Sequence, residues 1–407
     1  MRSSRRTQVS RATEALPRSG RSERSGRSER IREIDLLRGF ALLGILLVNV
    51  QAMAGPHTGP GGELSVWWVD EVAEWLVTAL VSAKFYLLFS FLFGYSFTLQ
   101  RASAERAGAP FAPRHLRRLS CLFLLGLGHG VFLFPGDVLL VYAVLSLVLF
   151  AVRDIEPRTA VRAAACLVIG VAVCLLVWGL STVAYTEPMN PRDLMAAIQE
   201  MAAAHKGDFG SVVRANLGAL RDSLGWNILY GADMLAAFLV GLAAGKRELL
   251  ADTGRHRARM VRIVVRALPV GLAGSVFMAL CRNGPLDARW YDVGSAVGVL
   301  TAPAMTAAYV CGLLLLLRSR PGGRAAAALA GAGRLALTHY LTQSVVMALV
   351  FTGYGLAWYG RHGTAVLLAG CFALYAAQLA YGGRLLRHVR YGPAEWLLRA
   401  ATLARRP

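Results

Sequence analysis

The sequence has 407 residues, of which 56% are hydrophobic and only 17% are charged, and this balance excludes an ordinary soluble domain. A net charge of +20 on a soluble face would indicate nucleic-acid binding, but here the basic residues lie between long apolar stretches, so no nucleic-acid partner is expected. The six cysteines all fall inside apolar stretches and lack metal-ligand spacing, so neither a disulfide framework nor a metal site is predicted.

Ten apolar stretches follow one another along the chain and predict an all-α polytopic membrane bundle of about ten transmembrane helices over residues 31–390. A helix needs roughly 20 residues to cross a 30 Å hydrocarbon core, and the mean length of these stretches is close to that value. The predicted spans are 36–54, 75–99, 116–134, 137–152, 160–184, 225–244, 261–281, 292–317, 334–356 and 362–381.

Lysine and arginine lie almost entirely on alternate loops between these spans. The loops after the second, fourth, sixth and eighth spans are rich in arginine, whereas residues 55–74 and 135–136 contain no lysine or arginine. The positive-inside rule therefore predicts that both termini are cytoplasmic.

Three segments outside the spans have distinct compositions. Residues 1–30 are rich in arginine and serine and predict a disordered cytoplasmic tail, which either binds anionic lipid headgroups or only fixes the orientation. The loop 185–224 is the long extracytoplasmic segment, and its composition from Pro191 to Ala204 predicts a short helix. Residues 391–407 predict an interfacial helix with Trp396 in the headgroup zone, which we interpret as an anchor.

The first span carries three polar residues. Asp35 and Arg38 are three residues apart and are expected to pair at the cytoplasmic boundary. Asn49 follows Arg38 by eleven residues, so both lie on one helix face, about 16 Å apart along the axis. Either Asn49 makes a hydrogen bond to a neighbouring helix, or Arg38 contacts a cytoplasmic anion below a polar site.

The third span repeats this spacing, since His129 follows Arg118 by eleven residues. The next segment opens with Asp137 and reaches Tyr142 five residues later, and a tight turn would bring the Asp137 carboxylate near the His129 ring. A base and an orienting carboxylate are what general acid–base catalysis requires. The alternative is structural, with Asp137 capping the fourth helix and His129 bound to a neighbouring carbonyl.

Further polar residues lie inside other spans, where an ionisable side chain costs about 2.5–3.5 kcal/mol. Lys84 and Asp233 have opposite charges and are expected to form a pair, more as a structural tie than in catalysis. His339 and Gln343 share one face of the ninth span, where they either line a cavity or bond to neighbouring helices.

Several short motifs together resemble the YeiB-type family of bacterial membrane proteins over about residues 31–400. The motifs are Asp35-Leu-Leu-Arg38-Gly39 continuing to Asn49, Phe89-Ser90-Phe91-Leu92-Phe93-Gly94, His129 with Gly136-Asp137 and Tyr142, Gly333-Arg334 continuing to Thr338-His339-Tyr340 and Gln343, Gly353-Tyr354-Gly355, and Tyr391-Gly392-Pro393-Ala394-Glu395-Trp396. At His339 the sequence departs from the asparagine that is more common in that family. The resemblance implies a multi-pass protein of the bacterial plasma membrane and by itself implies no particular activity.

The opening motif is also similar to that of membrane acyltransferases, namely the type 3 acyltransferase family and heparan-α-glucosaminide N-acetyltransferase. Those proteins move an acyl group from cytosolic acyl-CoA to an acceptor across the membrane. Type 3 enzymes have a catalytic histidine where Asn49 stands here, so this chain lacks that base. The heparan-type enzymes have asparagine there and a catalytic histidine nearer the outer face, for which His57 and His129 are the corresponding candidates.

These features favour an acyltransferase that uses acyl-CoA as co-substrate, without a metal, and a small-molecule, glycan or lipid acceptor. Arg38 would then bind the CoA phosphates, His129 or His57 would act as base, and Asn49 or Tyr142 would stabilise the oxyanion. That mechanism requires Asn49 and His129 to line one cavity that reaches Arg38.

Two other functions use the same residues. A proton-coupled transporter would use His129, Asp137, Lys84 and Asp233 as relay groups, although the sequence shows no repeat and no matching pair of interrupted helices. A non-catalytic envelope-assembly scaffold would use the polar residues only as packing contacts.

Overall fold

The structure, a computed structural model, describes residues 18–58, 67–250, 256–319 and 323–404. Within these ranges the chain forms fifteen α-helices and one short 3-10 turn, so the predicted all-α fold class is confirmed. The helices are α1 (Arg18–Ala54), α2 (Trp68–Leu80), α3 (Lys84–Arg106), α4 (Phe111–Phe132), α5 (Val138–Ala151), α6 (Pro157–Tyr185), α7 (Pro191–Lys206), α8 (Phe209–Asp222), α9 (Leu224–Lys246), α10 (Arg257–Arg282), α11 (Tyr291–Ser319), α12 (Arg324–Arg334), α13 (Ala336–Phe351), α14 (Thr364–His388) and α15 (Pro393–Leu403).

Seven helical segments in the described ranges are long and apolar enough to cross a membrane, and the protein is therefore a multi-pass membrane bundle. They are Arg32–Ala54, Trp68–Arg106, Pro157–Tyr185, Leu224–Lys246, Arg257–Arg282, Ala288–Leu317 and Thr364–His388. The three other predicted spans are also helical, but α5 and α13 are shorter apolar helices and α4 begins with several arginines. Seven segments rather than ten thus meet the length and hydropathy of a span.

The amino-terminal tail differs in part from its prediction. The backbone of residues 18–30, predicted as disordered, forms the start of α1. This segment contains no proline, the residue that most strongly disrupts a helix interior. Residues 1–17 lie outside the described residues.

The predicted span 75–99 consists of two helices, because a three-residue break separates α2 from α3. Such a break leaves carbonyl groups without helical partners, and in hydrocarbon other groups must satisfy them. The Lys84 ammonium donates to the Thr78 carbonyl at 3.1 Å, and the Tyr309 hydroxyl donates to the Leu80 carbonyl at 2.8 Å. Side chains therefore supply the hydrogen bonds that the break removes.

A second interruption separates α12 from α13 at Leu335. α12 runs antiparallel to residues 35–39 in the middle of α1, and the two backbones touch at two glycines. A Cβ atom on Gly39 would collide with the Leu329 carbonyl, and one on Gly333 would collide with the Asp35 carbonyl. The sequence predicted neither interruption, because hydropathy reports only that the flanking residues are apolar.

α1 lies at the centre of the bundle, where it contacts α3, α12, α13 and α14. α3 also packs closely on α9, since Gly94 and Gly241 each face a carbonyl of the other helix. α4 and α5 form a hairpin beside α3, and α15 packs against the start of α4. This arrangement leaves a space between α1, α3, α4, α5, α13 and α15, which contains the candidate site.

Candidate functional site

The His129–Asp137 contact predicted from the sequence forms at the α4–α5 turn. His129 lies in the last turn of α4, and Asp137 immediately precedes α5. The His129 Nδ1 atom lies 3.0 Å from the Asp137 Oδ1 atom, and both side chains are only 1% exposed. The distance is that of an ion pair, although the ring nitrogen falls outside hydrogen-bond alignment, and Nε2 has no partner within the described residues.

Asp137 also has a structural role. Its Oδ2 atom accepts the Leu140 backbone N–H at 2.7 Å and so caps α5, while its Oδ1 atom accepts the Tyr340 hydroxyl at 3.2 Å. The predicted helix cap is therefore present on one oxygen, while the other oxygen faces His129 and Tyr340.

A cavity of about 540 Å³ approaches this pair from the opposite end of α4. We call it the basic cavity, because five arginines line it: Arg38, Arg114, Arg118, Arg334 and Arg399. Its other walls are largely apolar and include Leu42, Ile45, Phe89, Leu122 and Val138. Charged groups thus concentrate at one end of a mainly hydrophobic space.

The arginines of the basic cavity outnumber the carboxylates that neutralise them. Arg38 donates to Asp35 at 3.0 Å and to the Ser96 hydroxyl at 2.6 Å, as the sequence predicted for Asp35. Neither Arg114 nor Arg118 forms an ion pair with any described residue, and the Arg118 Nε atom is buried without a hydrogen-bond partner. Unpaired guanidinium groups in a partly buried site favour an anionic ligand.

Asn49 and His129 do not line one cavity in this conformation, so the requirement of the acyl-transfer mechanism is not met here. On α1 the lining residues end at Ile45, one turn short of Asn49, and on α4 they end at Leu122, seven residues before His129. Asn49 is half-buried, and its side chain makes no hydrogen bond within the described parts of the chain. Both residues nevertheless continue the helix faces that line the cavity.

The Tyr340 side chain lies between the basic cavity and His129. It lines the cavity, its hydroxyl bonds Asp137, and its ring centroid lies 5.0 Å from that of His129. One aromatic side chain therefore separates the two parts of the site.

The remaining catalytic candidates have different positions. Tyr142 lines the basic cavity, with its hydroxyl 2.7 Å from the Ser90 hydroxyl and donating to the Tyr86 carbonyl at 3.2 Å. His57 instead lies in the loop after α1, where its Nδ1 atom is 3.3 Å from the Gly360 carbonyl. Because His57 lies beyond the end of α1, it does not line the basic cavity.

The predicted Lys84–Asp233 pair is not among the ion pairs of the described residues. Asp233 accepts the Tyr86 hydroxyl at 2.6 Å, and the Lys84 ammonium is occupied by the Thr78 carbonyl at the break between α2 and α3. The sequence could not reveal this outcome, because the free carbonyl exists only once the helix is interrupted.

His339 and Gln343 contact neighbouring helices and do not line the basic cavity. The Gln343 side chain donates to Gln378 of α14 at 2.8 Å, and Gln378 donates to the His339 carbonyl at 3.1 Å. The His339 ring lies close to Gly382, and neither of its nitrogens has a hydrogen-bond partner within the described ranges.

Sequence reasoning missed three residues of the site. His115 lines the cavity, is 2% exposed, and stacks against the rings of both Phe111 and Phe150. It precedes Arg118 by three residues, a spacing that could have found it. Tyr340 and Glu395 belong to the motifs of the YeiB-type resemblance, but no local sequence pattern indicated which residues they contact.

The interpretation of residues 391–407 as only an anchor is corrected by the position of α15. Tyr391, Glu395 and Arg399 all line the basic cavity. The Glu395 carboxylate accepts the backbone N–H groups of Leu337 at 2.7 Å and Thr338 at 3.0 Å, and so binds the start of α13. α15 is thus a wall of the cavity.

The end of the bundle beyond His129 is covered. We call α7, α8 and the loop 352–362 the cover. The Asn216 amide donates to the Val131 carbonyl at 3.1 Å, and the Tyr354 hydroxyl donates to the Phe132 carbonyl at 2.9 Å. The residues that follow His129 are therefore held from this side by side chains of the cover.

Comparison with known proteins relates this fold to a family. Residues 244–405 match the family described as protein of unknown function (DUF418). The chain is 28% identical over 400 residues to the uncharacterized protein YxaH of Bacillus subtilis (strain 168), covering 91% of this chain and 93% of that protein. It is 27% identical over 388 residues to the uncharacterized protein YeiB of Escherichia coli (strain K12), covering 91% of this chain and 95% of that protein. The resemblance to the YeiB-type family is confirmed.

The YeiB-type similarity extends well beyond residues 244–405. Because the two relatives each cover 91% of the chain, their matches include the segment with His129 and Asp137. The site therefore lies within the region that these YeiB-type proteins share with this chain.

Proposed function

We propose that the protein is a membrane-embedded acyltransferase that moves an acyl group from cytosolic acyl-CoA to a hydroxyl or amine acceptor at the membrane or its outer face. One observation supports this proposal most strongly, namely an arginine-rich cavity whose apolar inner end approaches a buried histidine–aspartate pair. In this proposal the arginine-rich end faces the cytoplasm of a bacterial plasma membrane.

The two parts of the cavity correspond to the two parts of an acyl-CoA. The donor carries phosphate groups on its nucleotide, and arginine side chains such as Arg114 and Arg118 bind phosphate with paired hydrogen bonds. The apolar walls, including Leu42 and Phe89, would hold the arm that carries the thioester.

The pair would supply the base once Tyr340 moves aside, because in this conformation the lining of the basic cavity stops short of both Asn49 and His129. With the His129 Nδ1 atom facing Asp137, Nε2 is the ring nitrogen left to take the proton of the acceptor hydroxyl or amine. The acceptor oxygen or nitrogen attacks the thioester carbonyl carbon and forms the new ester or amide bond. The carbon–sulfur bond breaks, and the departing CoA thiolate takes the proton from the imidazolium.

Two polar side chains would stabilise the negative charge on the carbonyl oxygen during attack. Tyr142 lines the basic cavity, and Asn49 continues the lined face of α1 and has an amide without a hydrogen bond among described residues. Loss of such a donor costs about 10²–10³ in turnover in other acyl-transfer enzymes.

The test is acyl transfer in proteoliposomes that contain purified protein, with labelled acetyl-CoA on the arginine-rich side and envelope glycans, lipids and small metabolites on the other. We expect transfer by wild type and a decrease of about 10²–10⁴-fold in His129→Ala, the usual effect of a general base. His57→Ala is the matched control, because this histidine lies in the loop after α1 and contacts the Gly360 carbonyl rather than Asp137, and it should retain activity.

Three results would contradict the proposal. The first is no transfer and no thioester loss with several acyl-CoAs. The second is an active His129→Ala variant beside an inactive His57→Ala variant. The third is a His129→Ala variant whose only defect is lost stability, which is the result expected of a non-catalytic scaffold.

A specific observation favours proton-coupled transport as a second candidate. The α2–α3 helix is interrupted beside Lys84, and Asp233 is fully buried with its Oδ1 atom unpartnered among the described side chains. Interrupted helices and buried carboxyl groups occur at the binding sites of many transporters. Flux driven by a pH gradient that Asp233→Asn abolishes, without any acyl transfer, would support this alternative.

A further inference from the structure

Tyr340 is in contact with both the basic cavity and the His129 ring. The tyrosine is 4% exposed, and its hydroxyl donates to Asp137 at 3.2 Å. Its ring is inclined by 31° to the His129 ring at a centroid distance of 5.0 Å, so it lies over one face of the imidazole. The same side chain forms part of the cavity wall.

We infer that Tyr340 is a specificity-determining residue, which closes the inner end of the basic cavity and limits the length of the acyl group that reaches His129. This inference rests on the proposed function for the identity of the donor. The structural part of the inference is that Tyr340 separates the basic cavity from His129. This separation does not depend on catalysis.

The surroundings of Tyr340 support this role. Ile45 and Val138 form apolar walls at the inner end of the cavity, where an acyl chain would lie against them. Beyond the tyrosine, Leu125 and Gly126 of α4 lie between Leu122 and His129, and Gly126 packs against the backbone of α5 at Leu140. Because Tyr340 both lines the cavity and contacts the His129 ring, displacement of its ring would extend the cavity toward the imidazole.

The hydroxyl of Tyr340 provides a second, separable contribution. It bonds the same Asp137 oxygen that faces His129 Nδ1, so it competes with the histidine for that carboxylate. Tyr340→Phe removes this bond and keeps the ring, whereas Tyr340→Ala removes both. The two variants distinguish the closing ring from the positioning hydroxyl.

The first experiment measures access to His129 without any turnover. Purified protein in nanodiscs is treated with diethylpyrocarbonate, and modification of His129 is followed by mass spectrometry. We expect Tyr340→Ala to increase the rate of modification several-fold and Tyr340→Phe to leave it near wild type. Tyr375→Ala is the matched control, since Tyr375 is 5% exposed, donates to the Gly39 carbonyl, and does not line the cavity.

The inference fails if diethylpyrocarbonate modifies His129 no faster in Tyr340→Ala than in wild type, or if Tyr375→Ala increases the rate of modification equally. If Tyr340→Ala does not fold, as judged by size-exclusion chromatography, Tyr340→Leu takes its place, because it also shortens the side chain but retains apolar contact. Increased access in that variant supports the inference, and unchanged access overturns it.

The second experiment compares acetyl-, butyryl- and octanoyl-CoA as donors. We expect Tyr340→Ala to raise the octanoyl-to-acetyl ratio of kcat/KM by about tenfold or more, the usual scale for added methylenes in a pocket. An active variant with an unchanged ratio overturns the specificity role while acyl transfer stands. No turnover with any donor, together with increased His129 modification, refutes the proposed function and leaves the separation by Tyr340 intact.

Discussion

At the scale of residues, the site depends on single side chains that serve two partners each. Asp137 caps α5 with one oxygen and faces His129 with the other. Glu395 lines the cavity and also binds the start of α13. Substitution of such residues changes stability and activity together, so a useful variant must keep one partner and lose the other.

Asp137→Ser should separate the two roles of this carboxylate. Serine is also a good helix cap, so we expect the free energy of unfolding to stay near wild type, whereas Asp137→Ala should lose about 0.5–2 kcal/mol. Acyl transfer should fall in both variants, because neither can orient the His129 imidazole. Thermal unfolding in detergent and turnover in proteoliposomes measure the two effects, and full activity in Asp137→Ser would refute the orienting role.

Arg118 should contribute to donor binding rather than to chemistry. Its guanidinium is partly buried and forms no ion pair with any described residue, so it is expected to bind phosphate, and a charged hydrogen bond contributes about 1.5–3 kcal/mol. We therefore expect Arg118→Gln to raise the KM for acetyl-CoA by roughly tenfold to a hundredfold with little change in kcat. The neighbouring Arg117 is exposed and does not line the cavity, so Arg117→Gln should leave the KM unchanged. An equal KM increase in both variants would indicate only a general charge effect.

At the scale of elements, the bundle contains two interrupted helices and a glycine contact that fixes one of them. α12 runs antiparallel to α1, and the two backbones are in contact at Gly39 and Gly333. This contact places Arg334 at the basic cavity and positions the start of α13, which leads to Tyr340. The geometry of the site thus depends on close backbone packing at some distance from His129 and Asp137.

Gly333→Ala should destabilise the protein, because the added methyl group would meet the Asp35 carbonyl rather than a flexible side chain. We expect a loss of about 1–3 kcal/mol in the free energy of unfolding, the usual cost of overpacking. Gly331 lies on the same helix and would place its methyl group at an ordinary 3.6 Å from Leu386, so Gly331→Ala should be nearly neutral. Equal unfolding temperatures for the two variants would contradict the close contact.

Local sequence patterns explain why some elements could be predicted and others could not. Every predicted span is helical, because apolar length is a local property, and the His129–Asp137 contact followed from a short turn. The partner of Lys84 depended on a helix break that hydropathy does not report. The Tyr340–Asp137 bond joins residues 203 positions apart, and no spacing rule connects them.

At the scale of the whole molecule, the distribution of charge defines an arginine-rich end and an opposite, covered end. The basic cavity belongs to the first end, and α7 and α8 belong to the second. The proposed direction of acyl transfer depends on which end faces the cytoplasm, and that orientation can be measured directly.

Fusions at the carboxyl terminus should report a cytoplasmic location. We expect green fluorescent protein joined after Pro407 to fluoresce and alkaline phosphatase joined at the same place to be inactive. Fusions placed in the segment 185–224, which contains α7 and α8, should give the reverse pattern. Active phosphatase at the carboxyl terminus would invert the orientation and would place the arginine-rich cavity outside the reach of cytosolic acyl-CoA.

The covered end has a consequence for the fate of a bound thioester. The residues after His129 are held by Asn216 and Tyr354 of the cover, and Tyr340 lies on the other side of the imidazole. The His129 side chain is only 1% exposed, so bulk water does not reach the base in this conformation. In the proposed function, a donor in the basic cavity would stay apart from the base until an acceptor arrives, and water activated by that base would not consume the thioester when the acceptor is scarce.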